Sequence, residues 1–95
     1  MRGTWLLASL AVLIPLGCVT NQQDMVRDYN EDGLQLFRKG SYAEAADTFE
    51  AALRLKLGDE SLLYNAGRCY ERCGQPEKAE NYYRAVLQQD AQNNE

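Results

Sequence analysis

The sequence repeats itself at an interval of 34 residues. Displacing the chain by that interval lays Gly33 on Gly67, Arg38 on Arg72, Gly40 on Gly74, Ala45 on Ala79, Ala51 on Ala85 and Leu53 on Leu87. Phe49 falls on Tyr83, aromatic on aromatic. A fixed period in this range constrains the fold more than any other feature. Each unit is then one supersecondary element that cannot bury its own apolar face and must stack on a neighbour.

Within each unit the apolar spacing is helical and breaks once. Tyr29, Gly33, Leu36 and Phe37 recur along one helical face and stop at Gly40. Ser41 and Glu44 then form an S-x-x-E capping-box pattern, which predicts a second helix carrying Ala45, Phe49, Ala52 and Leu53. In the second unit Leu63, Gly67 and Tyr70 lead to Gly74, and Pro76 suits a first helical position, where its missing N–H costs nothing. The small residues are expected to let the helices approach, a glycine of the first helix facing an alanine of the second, with large side chains filling the space around them.

These residues resemble the tetratricopeptide repeat family. Residues 26–59 and 60–93 fit two of its units, followed by a short tail at 94–95. The resemblance gives repeat-packing roles to Gly33, Ala45 and Phe49 and to Gly67, Ala79 and Tyr83. Tyr70 takes the aromatic place of the first helix, with Leu36 standing there in unit one. Val86, Leu57 and Ala91 depart from the family's later alanine and closing prolines. The implied fold is all-α, two antiparallel helical hairpins forming a short α-solenoid.

Two units give four helices, a small core for stable stacking. A terminal repeat needs a polar outer side. Ala46, Leu55 and Leu57 of unit one do become Glu80, Gln89 and Ala91 in unit two. Tyr82, Tyr83, Val86 and Leu87 still load the last helix with apolar area, so that helix is expected to pair with a second copy or with a partner protein.

Ahead of the repeats, Arg2 precedes an apolar run from Trp5 to Leu16, broken only by Ser9 and Pro15. The run falls short of the roughly 20 apolar residues that span a bilayer and has the layout of a secretory signal peptide. Gly17-Cys18 after it resembles the lipobox of bacterial lipoproteins, although Pro15 and Leu16 replace that motif's aliphatic and small residues. The resemblance implies a signal peptide at 1–17, a lipid attached to Cys18, and a polar tether over 18–25. It also implies a bacterial cell envelope location, lipid-anchored in the outer membrane and facing the periplasm, with Val19 at the sorting position. The net charge of −4 makes the chain a poor nucleic-acid ligand.

No catalytic set is present. The chain has no histidine, and its glycines sit at packing and turn positions rather than in a phosphate loop. No enzyme activity, cofactor, metal or small-molecule substrate is expected. Cys69 and Cys73 share one helical face, and their spacing allows either free thiols or a strained local disulfide. By the family resemblance, the first helices of the units line a peptide-binding face, here Asn30, Leu34, Phe37, Arg38, Tyr64, Asn65, Arg68 and Arg72. Asn65 matches an asparagine that grips a peptide carboxylate in some members, while Leu34 replaces its companion. The function expected is an envelope-anchored adaptor or scaffold for protein–protein interaction in assembly of outer-membrane, pilus or cell-wall machinery. The alternative is a self-associating structural lipoprotein, or a repeat remnant with no dedicated groove.

Overall fold

The computed structural model describes residues 21–93, and they form four helices: α1 (Gln22–Arg38), α2 (Tyr42–Leu55), α3 (Glu60–Arg72) and α4 (Pro76–Asn93). Each packs on the next, α1 on α2, α2 on α3 and α3 on α4. The described residues are thus two helical hairpins stacked through the α2–α3 contact. The expected signal peptide, and Cys18 with it, lie outside the described residues, as does the 94–95 tail. No described helix is long and apolar enough to cross a membrane.

The same turn closes α1 and α3. Ser41 N–H donates to Leu36 C=O at 2.9 Å and Gly40 N–H to Phe37 C=O at 3.0 Å. One repeat later Gln75 N–H donates to Tyr70 C=O at 2.9 Å and Gly74 N–H to Glu71 C=O at 3.2 Å. This is the Schellman arrangement, and it needs a left-handed residue at the turn. Gly40 and Gly74 supply it, with φ of 86° and 76°.

That turn also removes the expected capping box. A capping box requires Glu44 to reach back to the Ser41 N–H, but that N–H is already donated to Leu36. Ser41 precedes α2 with no side-chain cap bond. The side-chain caps lie elsewhere: Asp59 accepts from Leu62 N–H at 2.9 Å to open α3, and Asn21 accepts from Gln23 N–H at 3.0 Å to open α1. With Asn21 as cap, α1 begins at Gln22, inside the stretch expected to be tether.

The nearest neighbour of each hairpin glycine is an aromatic ring of the second helix. A Cβ on Gly33 would lie 2.7 Å from the Phe49 ring, and one on Gly67 would lie 2.7 Å from the Tyr83 ring. Ala45 and Ala79 are buried beside them. Phe49, Leu53, Leu62, Leu63, Cys69 and Tyr70 complete a core running across the two hairpins. Fully burying a side chain such as Phe49 contributes about 1.5–3 kcal/mol.

A carboxylate then ties three helices together. Glu50 of α2 accepts from the Tyr70 hydroxyl of α3 at 2.8 Å and from the Tyr82 hydroxyl of α4 at 2.5 Å. The two rings stack at 5.7 Å, nearly parallel, and Lys78 Nζ sits 4.5 Å over the Tyr70 ring. Burial, followed by the bond to Glu50, pushes both phenols well above their ordinary value. Tyr82 is therefore spent on internal packing.

Candidate functional site

The packing of α3 against its neighbours gathers aromatic rings and guanidinium groups on the side shared with α1. Arg68 of α3 lays its guanidinium 4.5 Å over the Phe37 ring of α1 and 5.9 Å from the Tyr64 ring. One turn later Arg72 lies 5.6 Å over Phe37 and 5.7 Å over Tyr42, and its Nη1 donates to the Tyr42 hydroxyl at 3.4 Å. Phe37 and Tyr42 meet edge to face at 5.0 Å. Two arginines are thus held against three rings.

The acid nearest to them in sequence is engaged elsewhere. Glu71, between the two arginines in sequence, accepts from the Tyr83 hydroxyl at 2.8 Å. Burial, then that bond, pushes the Tyr83 phenol up to about 12. Among the described residues the ion pairs involve Arg27, Lys56 and Arg84, and neither Arg68 nor Arg72 takes part. A guanidinium resting on a ring is held in orientation while its N–H edge stays available for two parallel bonds to a carboxylate. Tyr64, half exposed at 50%, stands beside Arg68 as an apolar surface.

An unmet acceptor lies farther along α1. Asn30 Oδ1 is buried without a hydrogen-bond partner. It lines a recess of about 340 Å³ with Arg27, Ser61 and Leu62, between α1 and the start of α3. A buried amide oxygen without a donor costs free energy. The larger recess, about 550 Å³ between Gln22, Val26, Leu55 and Lys56, holds no aromatic residue and no arginine.

Of the residues expected on this face, the structure joins Phe37, Tyr64, Arg68 and Arg72 into one cluster. Leu34 packs against the core and offers little to a ligand. Arg38 is exposed and makes no ring contact, and Asn65 is half-buried beyond the cluster. Tyr42 joins the cluster as the first residue of a second helix, whereas the family resemblance places the face on first helices alone. Cys69 is a buried free thiol, pushed up to about 11 by burial and then by Cys73, while Cys73 is a half-buried free thiol, so the disulfide their spacing allows is not formed. Among the described residues no group of three or more potential metal ligands occurs.

A family profile described as tetratricopeptide repeat matches residues 36–95. Outer dynein arm-docking complex subunit 4 of Danio rerio is 39% identical over 51 residues, covering 54% of this chain and 10% of that protein. Its counterpart in Xenopus laevis is 35% identical over 66 residues, covering 70% and 12%. That of Bos taurus is 36% identical over 62 residues, covering 65% and 9%. The chain spans about a tenth of the length of the curated relatives it matches. No solved structure matches at comparable significance. The relatives are animal proteins, which points away from the bacterial outer-membrane location expected from the N-terminal residues and corrects it.

Proposed function

The chain belongs to the tetratricopeptide repeat family, and from that premise we propose that it binds a protein segment, extended and acidic, along the face shared by α1 and α3. The observation that carries this reading is the pair Arg68 and Arg72, oriented on Phe37, Tyr64 and Tyr42 and in no ion pair among the described residues. Tyr64 supplies an apolar anchor for the bound segment. The module holds its partner without chemistry, in keeping with a family of non-catalytic interaction modules. The relatives are named as docking-complex subunits, which supports a role in holding proteins together.

The test is titration of fluorescent acidic peptides bearing one aromatic residue, read by anisotropy against a basic peptide of matched length. Arg68→Ala and Arg72→Ala are each expected to weaken binding about tenfold, the loss of roughly one charged hydrogen bond. Arg68→Lys should recover only part of it, because an ammonium does not offer the planar fork. Equal affinity for the acidic and basic peptides would dismiss the reading.

A further inference from the structure

The α2–α3 contact inside the chain is a template for how another repeat would dock at either end, and the two ends differ from it in complementary ways. On α2, the residues covered by α3 include Ala46, Glu50 and Leu53, of which Ala46 and Leu53 are buried. Their counterparts one repeat later on α4 are Glu80, Arg84 and Leu87, all exposed. Leu87 is 66% exposed where Leu53 is 8%. On α3, Leu63 and Tyr70 are buried, and Glu50 of α2 reaches Tyr70. Their counterparts on α1 are Tyr29 and Leu36, half-buried and lining a shallow recess of about 280 Å³ with Asp32 and Lys39.

We propose that a second copy of this chain docks head to tail, its α1 lying on α4 as α3 lies on α2. The helices of the template run antiparallel, with Glu50 opposite Tyr70. Carried one repeat onward, Arg84 faces Leu36 and reaches Asp32, one turn earlier on α1. Glu80, one turn before Arg84, faces Lys39, and Leu87 enters the apolar surface of Tyr29 and Leu36. Glu80 and Arg84 bridge each other at 2.6 Å in the single copy; across the contact each also meets an opposite charge, and the exposed leucine meets the recess. An α4–α4 contact lacks the Tyr29–Leu36 surface and the two charged positions of α1. The contact is heterologous, so each copy keeps one free end and the assembly grows beyond a dimer. It also places one α1/α3 face beside the next, lengthening the groove available to a partner.

The test uses the full chain, mixing isotope-labelled and unlabelled copies and coupling them with a zero-length carbodiimide reagent. Lys39–Glu80 links joining labelled to unlabelled chains are expected, together with a molar mass that rises past the dimer with concentration. Leu87→Glu should abolish both while leaving the melting temperature of the dilute, unassembled chain unchanged, since Leu87 is exposed in the single copy. Arg84→Glu should weaken assembly and Asp32→Arg in the same chain should restore it. A chain that stays monomeric at every concentration overturns the proposal. So does a dimer linked α4 to α4, or one untouched by the Asp32 and Arg84 exchanges. Peptide binding by the α1/α3 face is read separately and stands or falls on its own.

Discussion

Replacing Glu50 should destabilise the domain in a way that distinguishes its two oxygens from its bulk. In the native structure these oxygens receive the Tyr70 and Tyr82 hydroxyls, from α3 and α4 respectively. Glu50→Ala leaves Tyr70, only 6% exposed, with a buried hydroxyl lacking an acceptor, a loss of about 1–3 kcal/mol. Tyr82 is less buried and can turn to water, adding about 1 kcal/mol. The sum, about 2–4 kcal/mol, corresponds to a fall of roughly 8–30 °C in melting temperature for a domain of this size. Glu50→Gln keeps an oxygen for one hydroxyl and an amide for the other, so it loses mainly charge assistance, about 1 kcal/mol. Thermal and urea melts followed by circular dichroism give both values. If the alanine and glutamine variants melt together, or both like the parent, the carboxylate does not join the helices as described.

Other consequences follow from the same contacts. Gly33→Ala gains about 1 kcal/mol of helix preference but forces its Cβ against Phe49, a fully buried ring, at an overpacking cost of about 1–3 kcal/mol. A net loss of up to about 2 kcal/mol is expected, and a smaller one for Gly67→Ala, because Tyr83 is less enclosed; urea midpoints compare them. Stability should also fall in alkali. The folded state holds the Tyr70, Tyr82 and Tyr83 phenols protonated above their ordinary value of 10.0, and the Cys69 thiol above 9.0. The unfolded chain therefore releases these protons first. The contribution is complete below about pH 9 and is lost as pH rises past about 10 toward the folded values, which urea midpoints across that range will show.

Much of the architecture was legible because repetition reveals positions that a single copy would hide. Gly40 and Gly74 each look like an ordinary turn residue alone; one repeat apart, they announce the same left-handed helix ending. Spacing could not show how closely the Phe49 and Tyr83 rings press on Gly33 and Gly67, because that distance depends on how the two helices of each hairpin pack. Asn21 and Asp59 are typical N-cap residues. Asn21 was absorbed into a polar stretch that read as tether, and helix α1 accordingly starts earlier than expected. Glu50 falls among the apolar positions of α2, but its role is not legible in the sequence because the two tyrosines it serves come from other helices. At the candidate site, Phe37, Tyr64, Arg68 and Arg72 were legible from their helical positions. Their stacking, the part of Tyr42 and the diversion of Glu71 to Tyr83 depend on tertiary contacts.

The central claim is that the arginine and aromatic cluster between α1 and α3 is where a protein segment binds. Its most direct test is nuclear magnetic resonance of the isotope-labelled chain titrated with an acidic, aromatic-containing peptide. The account predicts that the side-chain Nε–H signals of Arg68 and Arg72 and the Tyr64 and Phe37 rings shift together and saturate at one affinity. Shifts confined to the Leu57 and Leu87 surface, or no shift in the Arg68 and Arg72 signals at saturating peptide, would contradict it.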